Sequence, residues 1–265
     1  MKACASCWRF AWCDVIMKQF DWKGLEVGGL ALSLARTEAE LAELQRLRLR
    51  IFTEELGAHF PDAQGDRDVD RFDPWCLHFM VRDTRTGRVV GTYRLLTPES
   101  AVEAGGYYSE SEFNLAPMQA FRPLLVEVGR SCIDAGYRHG TAIMLLWSGL
   151  AQIMMQGGYR YMLGCASVSL RDDGVTASEV WRRARVLFER HPDVPRIQPL
   201  LPWPLERLNR HEPARVPPLI KGYLHLGATI CGEPAWDRDF HTADFPILLD
   251  LEWLDIRYKR HFGML

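Results

Sequence analysis

The sequence predicts a mixed α/β fold in which a central sheet carries helices on both faces. Three observations predict it. The apolar positions repeat every two residues in some segments and at helical spacing in others. The resulting order is strand, helix, a run of strands, helix, strand, helix, strands, which layers as a sheet covered on both sides. A glycine-flanked turn, Gly136 to Gly140, joins a strongly apolar strand to a helix, a place to cradle phosphate.

Residues 1–25 form a Trp-rich tail, with Trp8, Phe10, Trp12, Phe20 and Trp22 interrupted by Arg9 and Asp14. As a helix, it would place Trp8, Trp12, Val15, Ile16 and Gln19 on one face, suited to a membrane surface or to docking on the domain. Residues 26–265 read as one domain. Leu30, Leu32 and Leu34 alternate as a strand. Thr37 to Glu40 is a capping box, and Leu41, Leu44, Leu47 and Ile51 follow at helical spacing. An irregular acidic segment runs from Gly57 to Pro74. Strands over Leu77–Asp83 and Val89–Leu96 flank a short turn, Thr84–Gly87. Residues 97–123 read as a loop or small helix. Leu124–Ser131 is a strand, Thr141–Met155 a helix stopped by Gly157 and Gly158, and Tyr159–Ser169 another strand. Residues 171–216 are an insertion, a helix over Ala177–Arg190 followed by a Pro-rich excursion. Pro217 and Pro218 open a helix through Leu226, and strands near Thr229–Cys231 and Pro246–Leu251 close the chain.

Composition narrows the function. The formal charge is −2, which does not favour nucleic-acid binding. No run of about 18 apolar residues would span a bilayer as a helix. The seven cysteines are scattered, so the reading is a reduced, cytoplasmic protein. Cys4 and Cys7 make a lone CxxC with no second ligand pair, so no metal is expected.

Charged residues inside apolar strands carry the chemical signal. Arg94 lies between Tyr93 and Leu95, and Glu127 lies within Leu-Leu-Val-Glu-Val. Buried charge is costly unless paired, and burial raises a carboxyl pKa toward the range of a general base. Glu127 and Arg130 are three apart, so a regular strand points them to opposite faces, and a bulge at Gly129 would bring them together. Alternatively, Arg94, Glu127 and Arg130 pair as a structural ion network. Arg48 and Phe52 share a helix face. Asp62, Asp66, Asp68, Asp70 and Asp73 alternate with Arg67, Arg71, Phe72 and Trp75, a segment that packs down and could hold a cationic amine.

Taken in order, Arg48-x-x-x-Phe52, Asp70-Arg71-Phe72-Asp73, Gly91-Thr92-Tyr93-Arg94-Leu95-Leu96 and Glu127-Val128-Gly129-Arg130 resemble the GNAT-fold N-acyltransferases that draw acyl groups from acyl carrier protein. Two branches share this order, the acyl-homoserine-lactone synthases and the ornithine-lipid N-acyltransferases. The Gly164–Ser167 stretch, the Pro217–Ala228 block and Gly232–Asp237 resemble the second branch. The resemblance implies a GNAT-like mixed sheet over residues 26–255. It departs from acetyl-CoA-dependent members at the pyrophosphate loop. There, alignment on Gly140 and Ala142 places Tyr137, not arginine, at the first position.

The resemblance implies transfer of a 3-hydroxyacyl chain from acyl carrier protein to the α-amine of L-ornithine. No bound cofactor is expected, since the donor is the phosphopantetheine thioester itself. Glu127 is the expected base, with backbone N–H groups at Gly129 as an oxyanion site and Arg130 beside them. Arg94 or Arg130 would bind the ornithine carboxylate, and Asp70 and Asp73 its side-chain ammonium. Arg48 and Phe52 complete the expected substrate site. Arg138, His139 and Gly140, with Arg182, Arg183 and Arg185, are the expected face for an acidic carrier. The insertion, around Val186–Leu205, is the expected lid over the acyl tunnel. A single-chain lipid product implies peripheral membrane contact. Other readings are an N-acyl amino acid or homoserine-lactone synthase with another amine, a plain acetyltransferase, and a haemolysin-like membrane-active protein.

Overall fold

The computed structural model describes residues 20–57, 65–208 and 210–264. The CxxC pair, the tail's aromatic residues up to Trp12, and Asp62 lie outside the described residues. Phe20 is buried, and Trp22 packs edge-on against Phe79 in the core, so this end of the tail docks on the domain.

The chain enters through β1 (Leu25–Val27) and β2 (Leu30–Leu34), an antiparallel hairpin. All three residues of β1 are exposed, so no buried alternation marked it in the sequence. Helix α1 (Glu38–Leu56) starts at the expected capping box. Thr37 Oγ1 accepts from the Glu40 N–H at 3.2 Å, and the Glu40 carboxylate accepts from the Thr37 N–H at 3.0 Å. Strands β3 (Leu77–Asp83) and β4 (Val89–Leu96) match their predicted bounds. Helix α2 (Pro98–Glu103) and the two-residue β5 (Phe113–Asn114) interrupt the next segment, and β6 (Leu125–Ile133) follows. Helix α3 (Thr141–Gly157) leads to β7 (Tyr161–Ser169), and α4 (Val175–Arg190) opens the insertion. After β8 (Gln198–Pro199) come α5 (Pro218–Leu226), β9 (Thr229–Ile230), β10 (Ala235–Asp237), β11 (Thr242–Asp250) and α6 (Ile256–His261). Strand β11 starts four residues before the predicted Pro246, which sits inside the strand rather than at its first position.

The main sheet runs β1-β2-β3-β4-β6-β7-β11-β10, with β9 also on β11. The β6–β7 pair is parallel and the other pairs are antiparallel. Helix α1 packs on β4 and β6 from one face, and α3 covers β1 to β4 from the other. Phe79, Tyr93, Leu95 and Val128 meet Leu146 and Leu150 of α3 in one core layer. The insertion packs elsewhere: α4 lies on β7 and β9, β8 pairs with β5, and Trp203 is buried edge-on to Trp236. Among the described residues, no helix is long and apolar enough to cross a membrane.

Two irregularities shape the middle of the sheet. Thr92 faces Cys132 but Arg94 faces Gly129, so Arg130 and Ser131 together oppose Tyr93. Arg130 takes φ +50°, a left-handed conformation costing a non-glycine residue about 1–3 kcal/mol. The bulge thus falls one residue beyond the expected Gly129. The second irregularity is the short parallel ladder between β6 and β7, which ends at Glu127 and Leu163.

Replacing Thr37 by Ala removes the capping oxygen of α1. Urea unfolding should show a loss of about 1 kcal/mol with an unchanged m-value.

Candidate active site

Beyond Glu127 and Leu163, β6 follows β4 through its bulge while β7 stays with β11 along nine paired residues. The two parallel strands therefore diverge. The wedge between them opens into a cavity of about 600 Å³, within the roughly 300–1,000 Å³ usual for small-molecule sites. Residues 128–133 form one wall and 164–167 the other. Gly164 sits at the narrow end: a Cβ there would come 2.7 Å from the Val128 carbonyl oxygen. The wide end is apolar, lined by Ile143, Trp147 and Leu150 of α3, Ile220 and Leu226 of α5, and Leu249 of β11. Tyr93 and Tyr223 join hydroxyls at 2.5 Å, tying α5 to β4. No described residue between 171 and 216 lines the cavity. Helix α5 and the C-terminal Leu254, Phe262 and Met264 occupy the place expected of the insertion.

Behind the narrow end lies a buried array of three arginines and three aspartates. Arg48 of α1 is fully buried and pairs with Asp68 and Asp73, each at 2.8 Å. Arg94 of β4 meets Asp70 at 2.5 Å and Asp73 at 3.0 Å. Arg130 meets Asp70 at 3.2 Å and Asp68 at 3.3 Å. Gln45 donates to Asp73 at 2.9 Å, and the His78 ring Nε2 lies 2.9 Å from the Asp73 carbonyl oxygen. Burial alone would raise the Asp73 pKa, but Arg48 and Arg94 outweigh it and hold the carboxyl well below the usual range. Burial pushes His78 down to about 4, so it is neutral near pH 7.

This array corrects two expectations. Asp70 and Asp73 are committed to arginines, and neither they nor Arg48 line the cavity, so they are not positioned as an open ammonium site. Arg94, Glu127 and Arg130 do not form the alternative ion network either, since the arginines pair with aspartates. The bulge does bring Glu127 and Arg130 to the α1 face, but their partners differ. Arg94 and Arg130 both line the cavity. The Arg130 guanidinium lies 5.0 Å from the ring centre of Tyr108 and 5.2 Å from that of Phe240, flat partners that steady a cation. Phe52 also lines the cavity, edge-on to Phe240 at 6.1 Å.

Glu127 stands where the two strands part. Its carboxylate accepts from the Tyr108 N–H at 2.7 Å, the Ser109 N–H at 2.7 Å and the Ser109 hydroxyl at 2.6 Å. Burial raises its pKa, and the Ser109 bonds oppose the rise. Two carboxylate oxygens offer about four lone-pair sites, so capacity toward the cavity remains. Gly129 lies beside it on the same wall.

At the mouth, Tyr137, Arg138 and Gly140 line the approach to the N-terminus of α3. Gly140 has φ +99° and caps the helix without a side-chain hydrogen bond, leaving first-turn N–H groups for an anion. Arg138 is paired with Glu55, and His139 is exposed beside it without lining the cavity. Arg182 and Arg183 are exposed on α4 and both bond Glu179, away from the cavity. Arg185 pairs with Glu189 on the same helix.

Sequence reasoning missed Tyr108, Ser109, Cys165, Asp237, Phe240 and Asp244, all on the cavity lining. Asp244 carried the signal that marked Glu127, a carboxylate within an apolar strand. Ser109 carried none, because its role is a loop contact across 18 residues.

Residues 47–148 match the family described as acetyltransferase (GNAT) domain. The chain is 34% identical over 259 residues to the L-ornithine N(alpha)-acyltransferase of Brucella abortus (strain 2308), covering 89% of this chain and 90% of that protein. It is 34% identical over 254 residues to the same enzyme of Rhizobium meliloti (strain 1021), covering 89% and 85%. Among solved structures, FeeM, an N-acyl amino acid synthase from uncultured soil microbes, superposes with a TM-score of 0.52 at 13% identity, over 87% of this chain and 93% of that one. The AHL synthase LasI gives 0.50 at 12% identity, over 88% and 94%. These two likenesses establish a shared GNAT-like fold.

Arg48→Met should destabilise the protein by about 3–5 kcal/mol in urea unfolding, because Asp68 and Asp73 would lose a buried partner. Neutral His78 predicts a second effect. Its depressed pKa means the unfolded state binds the extra proton first, so stability falls as pH drops from 6.5 to about 4. The loss is roughly 3 kcal/mol at about 1.4 kcal/mol per pKa unit. His78→Gln should flatten the stability profile in that window. The loss attached to Asp70 and Asp73 should persist below the usual aspartate range.

Proposed function

The chain belongs to the family of L-ornithine N(alpha)-acyltransferases, and from that membership we propose that it moves a 3-hydroxyacyl chain from acyl carrier protein to the α-amine of L-ornithine, giving a single-chain lipid. The observation that carries this reading is the wedge. A buried carboxylate, Glu127, stands where two strands part, and the same cavity continues into an apolar body that suits a fatty chain.

The residues supply each requirement. The acyl chain lies in the apolar end between α3 and α5, with its thioester carbonyl at the divergence of β6 and β7. Backbone N–H groups at the Gly129–Arg130 bulge, where the ladder to β4 is interrupted, stabilise the developing oxyanion. The amine attacks the carbonyl carbon, the C–N bond forms and the C–S bond breaks. Glu127 takes the proton the amine loses, directly or through water, and the departing thiolate is then protonated. A thiol pKa near 8.5 makes a strong general acid less necessary. Arg130, flanked by Tyr108 and Phe240, holds the ornithine carboxylate. Phe52 packs beside Phe240 at the same end, and Arg94 and Arg48 act from behind by fixing the aspartates that steady Arg130. The phosphopantetheine phosphate meets the open N-terminus of α3 at Gly140. Arg138 and His139 face the acidic carrier there, whereas Arg182 and Arg183 do not line the cavity and are bonded to Glu179 on α4. The lipid product gives a reason for peripheral membrane contact by a cytoplasmic enzyme.

The test is turnover of a 3-hydroxyacyl carrier-protein thioester with L-ornithine, read by product mass. The expected product is N-(3-hydroxyacyl)-ornithine, and Glu127→Gln should lower kcat by about 10²–10⁴. Acetylation from acetyl-CoA with no long-chain product would overturn the function. Wild-type turnover by Glu127→Gln would overturn the base.

A further inference from the structure

One end of the cavity carries an excess of acid that the reaction described above does not use. Asp237 and Asp244 line it, and Glu112 stands behind. Oxygens of Glu112 and Asp244 and the sulfur of Cys165 all lie within 4.8 Å of one another. The other buried acids of the site are satisfied: Asp68, Asp70 and Asp73 by arginines, Glu127 by three donors. This group differs. Among the described residues, no Lys, Arg or His lies within ion-pair distance of Glu112, Asp237 or Asp244. Both Glu112 carboxylate oxygens are buried without a hydrogen bond of good geometry, and their polar neighbours are uncharged Tyr108 and Cys165 and the acid Asp244. A buried carboxyl left this way costs about 1–3 kcal/mol.

We propose that Glu112, Asp237 and Asp244 form the receptor for the side-chain ammonium of the acceptor amino acid, and so select a diamino acid. This inference rests on the acyltransferase reading and names what sets its acceptor. The cation is the missing partner. Asp244 is preformed to receive it, since Thr242 donates to Oδ1 at 2.6 Å and Ser167 to Oδ2 at 3.1 Å. Asp237 is fixed by the Asp239 and Phe240 N–H groups, each at 2.9 Å. Burial, together with repulsion among these acids, raises the Glu112 pKa well above the usual range and that of Asp244 to about 6, a strain that a cation placed among them would relieve. The acids also adjoin the proposed base. The Ser109 hydroxyl bonds Glu127 at 2.6 Å and lies 3.4 Å from the Cys165 sulfur, which touches the acidic group. One serine and one cysteine thus connect the proposed base to the acidic group along the same cavity wall. Arg130 acts electrostatically on Asp237 from the same end, where the amino acid's carboxylate is held. A bound metal is the poorer fit. Burial keeps the Cys165 thiol protonated, with a pKa well above its ordinary value, and the group contains no histidine.

The experiment compares L-ornithine with L-norvaline, the same skeleton without the terminal ammonium, in the wild type, Asp244→Asn, Glu112→Gln and Asp237→Asn. Each is assayed with one 3-hydroxyacyl carrier-protein thioester. The wild type should favour ornithine by about 100-fold or more in kcat/KM. Asp244→Asn should reduce that ratio at least about tenfold, mainly through KM for ornithine, and the other two should shift it the same way. The ratio is read within each variant, so a partly unfolded preparation does not alter it. Should one variant not fold, the other two still decide the matter. Wild-type discrimination in the variants would overturn the ammonium receptor and leave the acyltransferase intact. No long-chain product from any amine in the wild type would instead overturn the parent reading. One tightly bound metal per chain, lost in Asp244→Asn, would reassign the acids and overturn the proposal.

Discussion

Three arginines and three aspartates interlocked beneath the sheet set the geometry on which the rest depends. Arg48 comes from α1, Arg94 from β4 and Arg130 from β6, and the aspartates come from one loop. Their formal charges cancel, so the array is tolerated in a buried place where any one member alone would be prohibitive. Its main return is position rather than stability, since apolar replacements of similar volume often serve stability equally well. The array fixes α1 to the sheet and holds Arg130 in a left-handed conformation at a bulge. That bulge carries β6 away from β7 and opens the wedge.

The wedge separates two environments within one cavity. Polar groups gather where the strands part, with Glu127 held by the Tyr108–Ser109 turn and Arg130 between two rings. Apolar side chains line the far side, between α3 and α5. In the proposed reaction the amine and carboxylate belong to the first environment and a fatty chain to the second, which puts the thioester at their boundary. Burial sets the Glu127 pKa in the direction a base near neutral pH needs, while Ser109 keeps the carboxylate oriented.

Much of this was legible in the sequence, for local reasons. The α1 capping box, the β3 and β4 alternation and the Pro-opened α5 depend on neighbours within a few residues. Charges within apolar strands mark Arg94 and Glu127, and the three-residue spacing of Glu127 and Arg130 points to a bulge near Gly129. What the sequence did not reveal depends on distant contacts. The acidic segment looked like an amine site, yet its aspartates are consumed by arginines from three separate elements. The insertion looked like a lid, yet α4 and Trp203 pack on the sheet's far end. Asp244 falls before the predicted start of its strand at Pro246; that proline donates no N–H, but its carbonyl accepts from the Cys231 N–H within the sheet.

The central claim is that acyl chain and amino acid meet in this wedge. The most direct measurement is a crystal structure with N-(3-hydroxyacyl)-L-ornithine bound. The account predicts the amide bond beside Glu127 and Gly129, the hydrocarbon running between α3 and α5, and the carboxylate at Arg130. An amide bound elsewhere, with solvent filling the space between β6 and β7, would contradict it.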